Sequence, residues 1–157
     1  MNLPSNRVSL REINANTVRA VTQLEVTSDQ RKFVAPNAVS LSEALFSPEA
    51  WYRAIYNDDD LVGFVMLYDE TLRESPPSSP ELAIWRFMID ARYQGRGFGR
   101  EALRHVIEHA RRKVGVEDLL VSYVPGVGDP ELFYRKLGFE PTGEIDDGEV
   151  VLSMRVV

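Results

Sequence analysis

Val8-Ser9-Leu10-Arg11-Glu12-Ile13 alternates apolar and polar residues, the period of a half-buried strand. Asn14 to Thr17 then offer caps for a helix carrying Val18, Val21, Leu24 and Glu25. Further on, Ser40 precedes Glu43 by three residues. That is the spacing of a capping box, and it predicts a second short helix through Ala44, Leu45 and Phe46, closed by Pro48. Trp51 to Asn57 and Leu61 to Tyr68 are aromatic and β-branched and flank Asp58-Asp59-Asp60, which predicts a β-hairpin with an acidic turn. Three aspartates also suggest a metal cluster. Consecutive residues of a tight turn point in different directions, however, which favours a solvated turn. Gly63 inside the second strand marks a bulge or a close approach of backbone.

Thr71 to Pro80, with Pro76, Pro77, Ser78, Ser79 and Pro80, is a loop too short to link domains and is a candidate flap over a substrate site. Glu81 to Asp90 is a further strand. It feeds a polar connection and then a helix whose face carries Ala102, Leu103, Val106, Ile107, Ala110 and Val114, ending at Gly115. Leu119 to Val124 is nearly continuously apolar, as in a strand buried on both faces. Asp129-Pro130-Glu131 starts a helix with Leu132, Phe133, Tyr134 and Leu137, and Gly138 stops it. Phe139 to Ile145 and Val150 to Val156 form a final strand pair around Asp146-Asp147-Gly148. The predicted order is β-α-α-β-β-β-α-β-α-β-β, an α/β fold in the form of a mixed sandwich.

The composition narrows this little. The chain has 157 residues, 44% of them apolar and 27% charged, which suits one soluble globular domain over 1–157. The absence of cysteine excludes disulfides, thiolate metal sites and a Cys nucleophile. A net charge of −6 argues against general nucleic-acid binding and is compatible with a cationic substrate, although solubility alone accounts for it. No apolar run approaches the roughly 20 residues of a membrane span. Met1 to Arg7 lack the layout of a signal peptide, so a cytoplasmic location is the expectation.

The chemistry concentrates where the strand Glu81–Asp90 gives way to Ala91-Arg92-Tyr93-Gln94-Gly95-Arg96-Gly97-Phe98-Gly99-Arg100. Alternating glycines let the backbone turn sharply and approach a ligand without a Cβ in the way. The N–H groups opening the next helix, its dipole, and Arg92, Arg96 and Arg100 all favour an anion, so the stretch is a phosphate-binding turn. A dinucleotide fingerprint needs G-x-G-x-x-G, whereas the spacing here is G-x-G-x-G, and no Gly-Lys-Ser/Thr follows as a P-loop requires.

Gln94-Gly95-Arg96-Gly97-Phe98-Gly99 instead resembles the Q/R-x-x-G-x-G/A motif of the Gcn5-related N-acetyltransferases. Phe133-Tyr134-Arg135-Lys136-Leu137-Gly138-Phe139-Glu140 is similar to that family's Y-x-K-x-G-F signature. The element order matches too, so the resemblance covers nearly the whole chain and implies a central sheet of about seven strands with about four helices on both faces. It implies acetyl-CoA as co-substrate and no metal. Gln94, Gly95, Arg96, Gly97, Gly99 and Arg100 would cradle the pyrophosphate. Main-chain groups of Phe87, Met88 and Ile89 would meet the pantetheine arm. Lys136 would reach the 3′-phosphate, and Tyr134 would protonate the leaving thiolate. The plainer reading of Lys136 is solvated charge at a helix end, and that of Tyr134 a half-buried aromatic.

Two departures stand out. Val127 occupies the place where many relatives have a pantetheine-touching Asn, and Trp85 and Arg86 stand where relatives often carry a carboxylate base. Glu25 and Glu81 remain candidates for the acceptor side on chemistry alone. His105 and His109 have metal-ligand spacing but sit among charged residues, which suggests surface positions. Several stretches, among them Gln23-Leu24-Glu25-Val26 and Gly138-Phe139-Glu140-Pro141-Thr142-Gly143-Glu144, resemble bacterial polyamine and diamine acetyltransferases. The implied reaction is direct transfer to a primary amine of a small molecule. The alternatives are an antibiotic, amino-acid or protein amine as acceptor, or a non-catalytic acyl-CoA-binding regulatory module. No nucleic-acid or membrane partner is implied. Dimers are common in the family, so a homodimer is admitted, but no interface signature stands in the sequence.

Overall fold

The structure is a computed structural model that describes residues 7–157. Most of the stretch without a signal-peptide layout, residues 1–6, lies outside the described residues. Among the described residues seven strands form one sheet: β1 (Val8–Arg11), β2 (Ala50–Asn57), β3 (Asp60–Asp69), β4 (Leu82–Ile89), β5 (Asp118–Tyr123), β6 (Glu140–Asp146) and β7 (Glu149–Arg155), in spatial order β1-β2-β3-β4-β5-β7-β6. Four helices accompany them: α1 (Val18–Thr22), α2 (Asn37–Ala44), α3 (Phe98–Arg111) and α4 (Glu131–Leu137). Neighbouring strands are antiparallel except β4 and β5, which α3 connects in parallel.

The sheet is apolar on both faces, and the alternation along β3 shows how the chain divides its core. Val65 and Leu67 join a cluster with Leu103, Val106 and Phe139 beneath α3 and α4. Phe64 and Met66 join Val21 and Leu24 of the α1 side. Gly63 permits close strand packing, since a Cβ there would meet the Met88 carbonyl oxygen at 2.4 Å. The β2–β3 register also shifts beside it, between Ile55 and Tyr56, so Gly63 marks both a bulge and a close approach.

A second irregularity matters more for function. Opposite β3 the register jumps from Arg86 to Ile84, which leaves an extra residue at Trp85-Arg86. The bulge shifts the phase of β4. Ile84 faces the α3/α4 cluster, and so do Phe87 and Ile89, while Trp85 and Met88 face the α1/α2 cluster.

Three local expectations are corrected. Ser40 is not a cap: α2 starts at Asn37, the Pro36 carbonyl accepts the N–H groups of Val39 and Ser40, and Ser40 is fully buried inside the helix. The start is set by tertiary docking, because the buried Asn37 amide donates to the Val21 carbonyl oxygen at 2.9 Å and ties α2 to α1. The capping box occurs earlier, between Thr27 and Gln30, on a single 3-10 turn. α1 stops at Thr22, which leaves Glu25 in a loop. Of the paired histidines, His105 is exposed, but His109 is half-buried and stacks on Trp51 with centroids 4.3 Å apart. Burial, with help from Lys113, pushes the His109 imidazole down to about 4.

Candidate active site

β4 and β5 pair only over Leu82–Ile84 and Leu119–Val121, after which they separate. Beyond Ile84 the backbone of β4 has no partner on that side, so its polar groups face a gap. The gap opens into a cavity of about 1050 Å³. Phe87, Met88 and Ile89 line it from β4, Ser122 and Tyr123 from β5, and Phe133 and Tyr134 from α4. Because Phe87 packs on the α3/α4 side and Trp85 on the α1/α2 side, the cavity passes through the sheet.

At the Ile89 end lies the glycine turn. Gly95 (φ +76°) and Gly97 (φ +85°) occupy left-handed backbone, where an L side chain is strained. Gly97 caps α3, and the first intrahelical bond runs from the Glu101 N–H to the Gly97 carbonyl. The N–H groups of Phe98, Gly99 and Arg100 are therefore without intrahelical acceptors at the positive end of a 14-residue helix. Gly95, Gly97, Gly99 and Arg100 all line the cavity, as does Lys32 from the opposite wall.

Asp90 holds this turn in place. It is 3% exposed and accepts the Arg92 N–H (2.9 Å), the Arg92 Nε (2.8 Å) and the Glu25 N–H (3.0 Å). Burial pushes its carboxyl up, but Arg92 and the two backbone donors outweigh burial and hold it below its ordinary value. The Ala91 N–H returns a bond to the Glu25 carbonyl at 2.8 Å. Gln94 adds a second tie. Its amide donates to the Ile89 carbonyl (2.8 Å) and exchanges bonds with the amide of Gln30 (2.7 and 3.2 Å), which joins the loop after α1 to the glycine turn. Gln94 lines the cavity, yet its side chain is a brace. Sequence reasoning missed both Asp90 and Gln30, because each acts on a segment more than sixty residues away.

Tyr134 stands on α4 at the cavity, 6% exposed and edge-on to Phe133 and Phe139. Burial raises its phenol above the ordinary value, so it stays protonated at neutral pH. Two carboxylates line the cavity among the described residues, Asp129 and Glu149. Asp129 receives the Gly126 N–H (3.0 Å) and the Glu131 N–H (3.1 Å), which braces the loop into α4. Glu149 opens β7 and accepts the Ser122 hydroxyl at 3.3 Å. Nothing in the sequence distinguished Glu149 from other hairpin carboxylates.

Other predicted residues fall outside the cavity lining. Arg96 leans over the Tyr93 ring at 5.7 Å, and Lys136 is exposed on α4. Glu25 uses its backbone for Asp90 while its exposed carboxylate lies 3.6 Å from Arg31. Glu81 is exposed at the start of β4, where burial together with Glu70, Glu144 and Asp146 raises its carboxyl. The Thr71–Pro80 loop also contributes nothing to the lining. Its end packs beside the bend at Gly115, where a Cβ would lie 3.0 Å from Pro80, so it is no flap over this cavity. Arg86 does line the cavity but is turned to Glu43 of α2 at 3.4 Å, whereas Val127, outside the lining, is 92% exposed. No group of three or more metal-ligating side chains converges among the described residues, and no helix is long and apolar enough to cross a membrane.

A sheet split beside a glycine-capped helix, with a buried tyrosine at the fork, fits the acyltransferase fold that the resemblance to the Gcn5-related N-acetyltransferases implies. Residues 18–139 match the Acetyltransferase (GNAT) family, and the chain belongs to it as an acetyl-CoA-dependent N-acetyltransferase. It is 28% identical to a spermine/spermidine N(1)-acetyltransferase of Bacillus subtilis (strain 168), over 92% of this chain and 96% of that protein. Its fold is similar to that of an aminoglycoside acetyltransferase solved with coenzyme A (TM-score 0.75, 16% identity, 94% of each chain covered). It is similar also to that of a Salmonella typhimurium acetyltransferase that modifies the N-terminal serine of a 50S ribosomal subunit protein (TM-score 0.73, 14% identity, 96% of each chain covered).

Proposed function

We propose that this chain acts as one acetyltransferase domain and moves acetyl from acetyl-CoA directly to a primary amine, with a polyamine or diamine as acceptor. The observation that carries this reading is the single cavity shared by the split of β4 from β5, the open N-terminus of α3 and the hydroxyl-bearing Tyr134. Lys32, Arg100 and the free N–H groups of α3 offer the positive field that a pyrophosphate needs. The unpaired edge of β4 offers main-chain groups to an extended pantetheine arm. Tyr134 serves as the general acid that protonates the departing thiolate, and its high affinity for its proton keeps it charged with one until the sulfur develops negative charge.

Support for a polycationic acceptor comes from two directions. The Bacillus subtilis relative that matches over most of both chains is a spermine/spermidine acetyltransferase. Outside the cavity lining, the Glu81 carboxyl at the start of β4 is raised first by burial and then by Glu70, Glu144 and Asp146. The Glu81, Glu144 and Asp146 carboxylates together make a field that draws cations. A thiol-release assay with acetyl-CoA and a panel of spermine, spermidine, putrescine, aminoglycosides, amino acids and peptides tests it. The expected result is the highest kcat/KM on a polyamine. Preference for an aminoglycoside or a peptide N-terminus would sink the acceptor assignment while leaving the transfer itself intact.

A further inference from the structure

We infer that Glu149 takes the proton from the attacking ammonium, a role for which β4 supplies no carboxylate. The assignment rests on the direct-transfer reading above.

Three observations lead to it. First, the cavity has two ends on opposite faces of the sheet. Phe87, Ile89, Phe133 and Tyr134 belong to the α3/α4 side, so the thioester sulfur and its acid belong there. Second, Glu149 lies on the other side. Tyr123 pairs with Val150 and Ser122 with Val151, and Tyr123 and Val150 pack into the α3/α4 cluster. By alternation Ser122 and Glu149 point to the α1/α2 face, the face that Trp85 also borders. An amine entering from that face reaches the carbonyl across the split from Tyr134. Third, the other lining carboxylate is committed. Both Asp129 oxygens hold backbone N–H groups, whereas the Ser122 contact engages only Oε2 of Glu149 and leaves Oε1 for a substrate. The charged groups around Glu149 are Asp146, its register partner on β6, with Asp129 and Arg86 in the same cavity, and Arg86 is itself turned to Glu43.

The protons balance as follows. The ammonium R–NH3+ gives one proton to Glu149, and the neutral nitrogen forms a C–N bond to the thioester carbonyl carbon. The C–S bond breaks, and the sulfur takes the Tyr134 proton. The nitrogen loses its second proton to become the amide, which restores Tyr134 through solvent. Glu149 then releases its proton to bulk water.

The test compares wild type with Glu149→Gln in the thiol-release assay on the preferred amine. Turnover is expected to fall about 100-fold or more. Acetyl-CoA affinity by calorimetry and the thermal melt are expected to stay at wild-type values. The deficit should shrink as the pH is raised toward about 10, where a primary amine is increasingly neutral in bulk and needs no base. Ser122→Ala, which only frees the carboxylate, should lose about tenfold or less. Wild-type kcat in Glu149→Gln, a raised KM with unchanged kcat, or a deficit that does not change with pH each overturns the assignment alone. If the wild type releases no thiol with any amine, the direct-transfer reading falls and takes this assignment with it.

Discussion

The two faces of the split sheet are built in different ways. On the α3/α4 face the cavity is made mostly of consecutive chain, from β4 through the glycine turn into α3, completed by Tyr123 of β5 and by α4. On the α1/α2 face it is assembled from a loop before α2, the bulged middle of β4, the end of β5 and the start of β7. Under the proposed function the first face binds a ligand of fixed chemistry through backbone groups, and such groups impose a glycine pattern. The second face, where the same proposal puts the acceptor, is lined by scattered side chains, which impose no pattern.

If that division holds, damage on the two faces should separate in kinetics. The largest effect is expected from Tyr134→Phe: kcat falls about 100- to 1000-fold, with acetyl-CoA affinity nearly unchanged, because only the acid is lost. Unchanged turnover at neutral pH would remove Tyr134 from the chemistry. Gly97→Val forces a β-branched residue to φ +85° at the α3 cap, at a cost of about 1–3 kcal/mol. Calorimetry should show acetyl-CoA affinity down about tenfold or more, and saturating acetyl-CoA should restore most of the turnover. A variant that binds acetyl-CoA normally would mean that the turn is not the anion cradle.

Asp90→Asn joins the two faces in one experiment, since Asp90 ties the loop after α1 to the glycine turn. Loss of its charge-assisted bonds should cost about 1–3 kcal/mol in chemical unfolding and raise KM for both substrates together. An effect confined to the amine would show that the tie does not reach the turn.

The smallest effect is on the pH dependence of stability, and its upper part comes from His109, away from the cavity lining. His109 has its affinity for a proton lowered on folding, to about 4 from the ordinary value near 6.5. The unfolded chain therefore binds the extra proton first, and stability, complete above about pH 6.5, declines as the pH falls toward 4. Asp90 is also lowered, but from 3.8, so its contribution is kept through that window and lost only as the pH falls further, through its folded value. Urea titrations of His109→Gln should flatten the upper part of this decline and leave the lower part. A decline identical to wild type would assign it elsewhere.

The element order, the glycine turn, the Tyr134 helix and its Gly138 stop were legible in the sequence, because each depends on local backbone geometry or on a period of a few residues. Ser40 and Glu43 show the limit of such reading. Their spacing satisfied a capping rule, but docking of the buried Asn37 onto α1 moved the cap from Ser40 back to Pro36. His109, grouped with charged neighbours in the sequence, was taken inward by Trp51 on β2. Only the tertiary structure decided which carboxylates reach the cavity. Glu25 and Glu81 are excluded from its lining, while Asp129 and Glu149 are brought to it, although all four look alike as sequence. The physical reason is the direction of a side chain. A one-residue bulge in β4 and the pairing register of β7 set which face a residue points to, and neither leaves a mark in the order of amino acids.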